Sequence, residues 1–368
     1  MIILDELMKK TTLYNVHIAM NAKMTLFGGF EMPIQYTGVK REHLTVRNNL
    51  GVFDVSHMGE FYISGPNALP LLQYICSNDI SKISVGKAQY NYFPNEIGGI
   101  VDDLIVYRLE ETLYLLVVNA SNILKDWEWI QKQNNAFGAI LEDRSAETAL
   151  LAIQGPKALE AMQILTNTRL NELANYAHTI DKFAGCENTL IATTGYTGAG
   201  GIEIYFPSQK APLVWEAILE AGKAFNISPI GLAARDTLRT EMGYCLYGNE
   251  INDTSSPIAA GLKWISKPEK GCINAAQISA EITNGTTRKL IGFHMESRAI
   301  PRSGHTLLDK ENNIIGQVSS GTQSPTLSKG IGLGYLDANF AKPGTKISVL
   351  IREKNCPARV IKLPFIKS

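Results

Sequence analysis

The sequence predicts an α+β fold that ends in a small all-β domain. Through about residue 270, strand-like and helix-like segments alternate, but hairpins interrupt the strict βαβ rhythm of a doubly wound sheet. After about residue 285, short strands alternate with glycine and proline turns, a pattern typical of a small barrel or sandwich. We therefore expect a domain boundary near Asn284-Gly285, which separates residues 1–284 from residues 285–368.

The elements of the first region are predicted from side-chain spacing and from the glycines and prolines at their ends. Pro66 suits the first turn of a helix, because an N–H would have no partner there. Asn95 to Gly99 form a glycine-rich turn between two strands. In order, we predict a helix that ends over 44–50, strand 60–64, helix 67–77, strands 90–94, 100–107 and 113–118, and helix 122–133.

The same pattern continues to the end of the chain. Ser228 and Pro229 are expected to be the N-cap and first-turn proline of a helix that runs to about Met242. The other predicted elements are strand 149–153, helix 155–165, strands 189–194 and 202–206, helix 214–225, and the late strands 289–295, 314–319, 331–335, 346–352 and 358–363.

Composition excludes several classes of function. The chain has 35 basic and 35 acidic residues among 368, so it lacks the positive charge that nucleic acid or an anionic membrane would require. Five dispersed cysteines predict a reducing compartment, and no cluster has the spacing of a metal site, so no metal is expected. Residues 1–10 resemble neither a secretory signal nor a transit peptide, which favours the cytoplasm, and Met8 is an alternative start.

Familiar catalytic motifs are absent from the sequence. There is no GxxxxGK phosphate loop and no GxSxG nucleophile elbow. The adjacent Ser56 and His57 are not expected to form a proton-transfer pair, because neighbours on an extended segment point to opposite faces. The glycines of residues 330–334 lack the dinucleotide spacing and predict a tightly packed strand.

Asp102 and Asp103 follow the glycine-rich turn at the start of a strand. Alternation places them on opposite faces, so at most one can enter a pocket. Asp103 shares a face with Val101 and Ile105, and a carboxyl among apolar neighbours has a raised pKa unless a positive charge pairs with it. The alternative is an acidic turn in which Asp102 is solvated.

A second candidate is the loop and strand of residues 195–204. Its glycines would let the backbone approach a ligand closely, and Tyr196 could stack on a flat ring. Glu203 faces away from Ile202 and Ile204, and a carboxylate can accept hydrogen bonds from the donor edge of a heterocycle. The alternative is a flexible hairpin loop with a surface glutamate.

A third candidate is the helical segment of residues 231–241. Arg235 and Arg239 are four residues apart on one face and could hold an anionic ligand or a buried carboxylate. The alternative is a structural ion pair between Asp236 and Arg239.

Taken together, these stretches resemble the aminomethyltransferase (T protein) family of the glycine cleavage system. The resemblance runs nearly end to end, and its specificity lies in the order of many short motifs. They are TLY (12–14), FGGFEMP (27–33), GVFDVSHMGE (51–60), GGIVDDL (98–104), VVNA (117–120), GYTG (195–198), ARD (234–236), LYGNE (246–250), Pro257 with GLKW (261–264), GTQSPTL (321–327) and KPGT (342–345).

The resemblance implies a fold and a reaction. The family fold has three lobes, two interleaved α/β lobes and a C-terminal β-barrel, around a central folate channel. The family reaction takes an aminomethyl group from the lipoyl arm of a carrier (H) protein, releases ammonia and converts tetrahydrofolate to 5,10-methylenetetrahydrofolate. Tetrahydrofolate is thus the expected co-substrate, and the H protein the expected partner.

The resemblance also implies residue roles. Asp103 matches the family's catalytic carboxylate, which would orient the attacking nitrogen and stabilise an iminium-like cation. Glu203 matches the residue that holds the pterin edge, and Arg235 matches an arginine near the folate. The matches to pocket and channel residues are Tyr196, Asn119, Met58, Tyr90 and Trp264, and for the last three a plain core role is the alternative.

Three departures from the family pattern bear on folate affinity. Ala199 stands where the family commonly has an acidic residue, Cys272 interrupts the usual segment after the tryptophan, and the closing residues 364–368 differ from the family's usual aromatic tail. Two other functions stay open at this point. One is a folate-dependent demethylase of a small methylated amine or sulfonium compound, and the other is a non-enzymatic folate-binding accessory protein.

Overall fold

The computed structural model describes residues 8–367. Residues 1–7, which form most of the N-terminal segment predicted to lack a targeting signal, lie outside this range, as does Ser368. The helices within these residues are α1 (Tyr14–Ala19), α2 (Val39–Asn48), α3 (Ala68–Ile75), α4 (Ile123–Asn134), α5 (Ala158–Met162), α6 (Ala211–Gly222), α7 (Leu232–Met242) and α8 (Ala275–Asn284). The strands are β1 (Lys9–Lys10), β2 (Lys23–Phe27), β3 (Phe30–Gln35), β4 (Gly51–Asp54), β5 (Gly59–Ser64), β6 (Lys87–Pro94), β7 (Ile100–Glu110), β8 (Leu113–Val118), β9 (Ile140–Asp143), β10 (Thr148–Gln154), β11 (His178–Phe183), β12 (Cys186–Ala192), β13 (Gly201–Pro207), β14 (Ser228–Pro229), β15 (Arg288–Met295), β16 (Thr306–Leu308), β17 (Ile314–Ser324), β18 (Lys329–Asp337), β19 (Lys346–Ile351) and β20 (Lys354–Ile361).

The chain forms two compact units that interleave in sequence. The first unit contains residues up to Leu72, Ile80–Asn91 and Leu104–Arg235, and the second contains Gln73–Asp79, Tyr92–Asp103 and the rest of the chain from Asp236. The predicted division near residue 284, where α8 ends, remains a prediction.

The first unit contains a six-stranded sheet with the order β11-β12-β13-β10-β4-β14. One face of this sheet packs on α5 and α6, since Leu151, Ile153 and Ile204 share a buried cluster with Met162 and Trp215. Because side chains alternate along a strand, the neighbours of these residues face the other way. That opposite face carries Glu203.

A five-stranded sheet has the order β6-β7-β8-β5-β9. Phe61 of β5 packs on Trp127 of α4, with ring centroids 4.9 Å apart, so the next residue along β5 in either direction faces away from that helix. Glu60 pairs with Val117, which also pairs with Ile105, and Tyr107 lies two residues farther on the same face of β7. Within the first unit this face meets the six-stranded sheet, because the Tyr107 hydroxyl lies 2.9 Å from the hydroxyl of Tyr205.

The C-terminal strands close into a barrel with the order β15-β18-β17-β16-β19-β20. Its interior is filled by alternate apolar side chains, among them Phe293, Leu307, Val318, Val349 and Val360. Of the two predicted all-β architectures, the barrel is therefore the one observed. The five predicted late strands are present, and the short strand β16 completes the closure.

The predicted role of Ser228 and Pro229 as a helix start is wrong. These residues form β14, which pairs in parallel with Gly51 and Val52 of β4. A proline can occupy an edge strand because the strand's outer side needs no N–H donor. Helix α7 begins only at Leu232, after the N–H of Gly231 has donated to the Glu42 carboxylate at 2.8 Å.

Within residues 8–367, none of the helices has both the length and the apolar character that crossing a membrane requires.

Candidate functional site

Glu203 lies at the centre of the six-stranded sheet, on the face opposite α5 and α6. Its strand neighbours are Ala152 and Ala192, whose small side chains leave room beside the carboxyl. The side chain is 8% exposed, and one carboxyl oxygen (Oε2) accepts a hydrogen bond from Thr194 Oγ1 at 2.6 Å. Burial raises the pKa of Glu203, while the bond from Thr194 and the charge of Arg235 oppose that rise. The predicted orientation of Glu203 is correct, and the surface alternative is wrong.

Arg235, on the first turn of α7, stacks on Tyr196. Its guanidinium carbon lies 4.8 Å from the centroid of the tyrosine ring. Its Nη1 atom is buried and has no hydrogen-bond partner among residues 8–367. Burial lowers the pKa of Arg235, and the charge of Glu203 counteracts this. A buried donor without an acceptor is costly, so this atom is a place where a ligand oxygen would be stabilised.

The loop between β12 and β13 is hydrogen-bonded to Gln154 of β10. Gln154 receives a hydrogen bond from Thr197 Oγ1 at 2.8 Å and donates to the carbonyl of Thr194 at 3.2 Å. At Gly195, a Cβ atom would lie 2.0 Å from the Gln154 side-chain oxygen, so the loop can approach Gln154 this closely only with glycine there. The neighbouring Tyr196 is thereby fixed under Arg235.

His57 is a buried group that the sequence analysis did not assign to the site. It is 2% exposed, and its ring meets that of Phe27 edge-on with centroids 5.6 Å apart. Within the described part of the chain, its Nδ1 has no hydrogen-bond partner. Burial lowers the pKa of His57 to about 4; the charge of Asp54 opposes this shift and that of Arg235 adds to it. The imidazole is therefore neutral near pH 7. The Ser56 hydroxyl donates instead to the carbonyl of Leu150 at 3.2 Å, so the two neighbours do not form a pair, as predicted.

Three further predicted residues are half-buried in the first unit. Met58 lies in the turn between β4 and β5, Tyr90 lies on β6, and Asn119 directly follows β8. The carbonyl of Asn119 accepts the N–H of Asn122 at 2.9 Å and so begins the turn that leads into α4. Their partial exposure leaves surface for a ligand, and their roles remain predictions.

Asp103 belongs to the second unit, and alternation along β7 separates it from Asp102 as predicted. Asp102 is fully buried, as are Leu104 and Val106 on its face, whereas Asp103 is half-buried. The alternative of a solvated Asp102 is therefore wrong, because the face of the strand that carries Asp102 is covered. Burial raises the pKa of the Cys245 thiol, the charges of Glu250 and Asp103 raise it further, and the charge of Arg239 opposes the rise.

The remaining predicted residues have different environments. The Arg239 guanidinium lies 2.7 Å from the Asp236 carboxylate through Nη2 and 2.7 Å from the buried Glu250 carboxylate through Nη1. Both the structural ion pair and the predicted buried carboxylate are therefore present for this arginine. Trp264 lies on a short 3₁₀ helix, Leu262–Ile265, and is 61% exposed, which excludes a plain core role.

The first-unit residues fit a flat, polar heterocycle. Glu203 can accept from a donor edge, the orphan N–H of Arg235 can donate to a carbonyl, and Tyr196 fixes the plane of the guanidinium.

The sequence analysis did not predict the hydroxyl groups that lie behind Glu203. Tyr107 and Tyr205 could have been suspected, because each occupies a buried strand position where a phenol requires a partner.

Comparisons with known proteins agree over the whole chain. The GCVT N-terminal domain matches residues 13–270, and the glycine cleavage T-protein C-terminal barrel domain matches residues 288–367. The aminomethyltransferase of Flavobacterium psychrophilum is 52% identical over 360 residues, which cover 98% of this chain and 100% of that protein. That of Bdellovibrio bacteriovorus is 46% identical over 98% of this chain and 99% of that protein.

A solved structure gives the same result for the fold. The crystal structure of glycine cleavage system aminomethyltransferase T from Bartonella henselae superposes with a TM-score of 0.92. It is 34% identical in sequence, and the match covers 98% of each chain. The predicted fold class, mixed α/β regions followed by a closed barrel, is confirmed.

Proposed function

Because this chain belongs to the glycine cleavage T-protein family, we propose that its folate site is built on Glu203, Arg235 and Tyr196 and that Asp103 carries the catalysis. The chain is an enzyme, an aminomethyltransferase of the glycine cleavage system that uses tetrahydrofolate, and the predicted activity is thus confirmed. Its substrates follow from that chemistry. The one-carbon unit comes from the lipoyl arm of the H protein, ammonia is released, and 5,10-methylenetetrahydrofolate is formed.

The observation that carries the proposed folate site is the pairing of a buried acceptor with a buried donor. Glu203 offers carboxyl oxygens to the amino and N–H groups of a pterin, and the unpartnered Nη1 of Arg235 offers a proton to its carbonyl. In the free protein, burial raises the pKa of Glu203 and lowers that of Arg235. A ligand that supplies one hydrogen-bond donor and one acceptor would relieve both desolvation costs.

Asp103 is proposed as the catalytic carboxylate. The turn before it is fixed, because Ile100 N–H donates to the Asn252 carbonyl at 3.0 Å and Asn95 Nδ2 donates to that of Asp253 at 2.8 Å. A carboxylate on a fixed strand can stabilise a developing cation without reorganising during the reaction. Asp103 would orient the attacking folate nitrogen and stabilise the iminium-like species that precedes ring closure.

The other assignments follow the family pattern. We propose Asn119, Met58 and Tyr90 as pocket or channel residues and Trp264 as a channel wall. The H protein is the proposed partner. The bacterial cytoplasm is the proposed location, where the five free cysteines would remain reduced.

Thermal unfolding with and without tetrahydrofolate tests the proposed folate site. A ligand that binds only the native state must raise the unfolding midpoint. Tetrahydrofolate should protect the native chain, and Glu203→Gln should lose most of that protection. Glu216→Gln, an exposed position on α6, is the matched control and should keep it. Equal protection of Glu203→Gln and the native chain would contradict the site.

Glycine-cleavage turnover with lipoylated H protein tests the catalytic proposal. Asp103→Asn should retain folate protection while kcat falls by about a hundredfold or more, since it removes charge rather than shape. Asp337→Asn, an exposed position on the barrel, should behave as the native chain does. Full turnover of Asp103→Asn would refute the assignment. Turnover of a free methylated amine without H protein would favour the demethylase instead.

A further inference from the structure

We propose that Thr194 and Tyr107 are positioning residues for Glu203. They belong to a chain of hydrogen-bonded hydroxyl groups in which every hydroxyl proton points toward the Glu203 carboxylate. The chain is defined as Glu203, Thr194, Tyr107 and Tyr205. It rests on the proposed role of Glu203 in holding a pterin and adds the means by which that carboxylate is kept charged and oriented.

The hydroxyl chain is continuous and buried within the first unit. Thr194 Oγ1 lies 2.6 Å from Glu203 Oε2 and 2.8 Å from the Tyr107 hydroxyl. The Tyr107 hydroxyl lies in turn 2.9 Å from the hydroxyl of Tyr205. All four side chains are less than a tenth exposed, so water does not compete with these bonds.

The number of protons on these groups determines the direction in which each hydrogen bond of the hydroxyl chain is donated. Each hydroxyl has one proton to donate, and an ionised carboxylate can only accept. Thr194 must therefore give its proton to Glu203, which leaves its oxygen to accept from Tyr107. Tyr107 has then used its own proton, so it must accept from Tyr205. Every bond points toward Glu203.

This direction matters only while Glu203 is ionised. If Glu203 carried a proton, Thr194 would no longer have to donate to it, and the order of the whole chain would be lost. The chain thus favours the charged form and keeps Oε2 occupied, which leaves Oε1 to receive the donor edge of the ligand. By positioning we mean that Oε2 is held by Thr194 while Oε1 is left to accept from the ligand.

The groups that face Glu203 support this account. Burial raises the pKa of Glu203, and the two opposing influences are the hydrogen bond from Thr194 and the charge of Arg235. Tyr107 and Tyr205 both have pKa values well above the ordinary value, chiefly through burial and with a contribution from the Glu203 charge, so neither phenol ionises and competes for protons. Tyr196 stacks on the Arg235 guanidinium, whose carbon lies 4.8 Å from the ring centroid.

Matched substitutions separate the hydroxyl from its volume. Thr194→Val keeps the shape and removes the donor, whereas Thr194→Ser keeps the donor. Tyr107→Phe removes the second donor in the chain and is a second, independent break. The control is Tyr114→Phe, since no described residue forms a hydrogen bond with the buried Tyr114 hydroxyl.

The experiment measures the dissociation constant of tetrahydrofolate by calorimetry from acidic to neutral pH, with unfolding midpoints recorded for each variant. Thr194→Val should weaken binding about tenfold, because a hydrogen bond to a charged group is lost. The pH below which binding fails should also move upward, since Glu203 then protonates more readily. Thr194→Ser should restore both properties, Tyr107→Phe should shift both in the same direction by less, and Tyr114→Phe should change neither.

Two results would overturn the inference, and they can be told apart. If Glu203→Gln weakens binding but Thr194→Val and Tyr107→Phe keep the native affinity and pH profile, the hydroxyl chain has no positioning role. If Glu203→Gln itself binds as the native chain does, the proposed folate site fails, and this inference fails with it. If Thr194→Val does not fold, Tyr107→Phe and Thr194→Ser provide the test instead. A native pH profile for Tyr107→Phe would then overturn the inference.

Discussion

The guanidinium of Arg239 lies 2.7 Å from the carboxylate of Glu250, and the two side chains are 1% and 0% exposed. Each partner has further hydrogen bonds: Arg239 donates to the Ser320 hydroxyl at 2.8 Å, and Glu250 accepts from that of Ser319 at 2.6 Å. A buried pair is stable only when its remaining hydrogen-bonding groups are satisfied. This one joins α7 to strand β17 of the barrel within the second unit.

Removing one member of this pair should be strongly destabilising. Arg239→Met leaves the Glu250 charge buried and should lower the free energy of unfolding by about 3–5 kcal/mol in urea titration. The double variant Arg239→Met with Glu250→Met should lose less than the single one. Arg169→Met, which removes an exposed pair with Glu172, should have little effect. A single variant as stable as the native chain would show that the pair contributes nothing.

Asp54→Asn should destabilise the first unit at neutral pH. Burial alone would raise the pKa of Asp54, but hydrogen bonds from His17 and Ser56 outweigh it and hold the value below normal. Thr11 adds a hydrogen bond of 2.7 Å. Such a group stabilises the fold above its unfolded pKa of about 4, and the contribution disappears as the pH falls through the lower, folded pKa.

The expected loss for Asp54→Asn is about 2 kcal/mol in urea titration near pH 7, because hydrogen bonds to a charged group are weakened. The difference from the native chain should shrink in strongly acidic solution. Asp337→Asn is the exposed control and should show no such trend. A difference that does not vary with pH would mean that Asp54 is not ionised in the folded protein.

Glu60→Gln should stabilise the protein at neutral and alkaline pH. Among the residues that the structure describes, neither carboxyl oxygen of the fully buried Glu60 has a hydrogen-bond partner. Burial and, to a lesser extent, the charge of Asp143 raise the pKa of Glu60 well above its normal value. The raised pKa means that folding is favoured at low pH and loses stability as the pH rises above the unfolded value of about 4.

Because Glu60→Gln removes the proton equilibrium, its stability should match the native chain in acid and exceed it by about 1 kcal/mol or more at neutral pH. Glu60→Met, which also removes the unpaired polar atoms, should gain more. Urea titrations across the pH range measure both, with Glu216→Gln as the exposed control. Parallel pH profiles for Glu60→Gln and the native chain would rule out a neutral carboxyl here.

Gly99→Ala should impair both stability and turnover. A Cβ atom on Gly99 would lie 1.7 Å from the carbonyl oxygen of Asp253, so the hairpin that precedes Asp103 would have to move. Overpacking of this kind costs about 1–3 kcal/mol. Gly138→Ala is the control: its Cβ has open space, and its φ of +74° gives a strain of about 1–2 kcal/mol without displacing a neighbour.

Calorimetric unfolding and H-protein-dependent turnover should therefore separate the two glycine variants. Gly138→Ala should lose some stability and keep its activity per folded molecule, whereas Gly99→Ala should lose both. Native turnover in Gly99→Ala would show that Asp103 does not depend on the close approach of this hairpin.

Local patterns in the sequence predicted most elements to within a few residues. The strand around Glu203 is an example, because alternation between Ile202 and Ile204 fixed the side that Glu203 faces. Predictions failed where a distant partner decided the conformation. Ser228 and Pro229 have the composition of a helix start, but the edge of β4 pairs with them and holds them extended.

The candidate site residues also divide into those that the sequence indicated and those that only the tertiary structure identified. The order of the motifs indicated the family and, through it, Glu203, Arg235 and Asp103. The burial of Asp102 could not be predicted from alternation, since alternation identifies two faces but not whether both are covered. Thr194, Tyr107 and Tyr205 lie far apart in sequence or on different strands, so only their packing brings their hydroxyls together.

The sequence by itself determined the periodicity of the strands and helices, the closing barrel region and the family, because these depend on neighbouring residues and on motif order. The tertiary structure alone decided which polar groups are buried and which of them have partners. Burial and hydrogen bonding depend on atoms contributed by distant parts of the chain. The desolvation that burial causes raises the pKa of Glu203 and lowers the pKa values of Arg235 and His57.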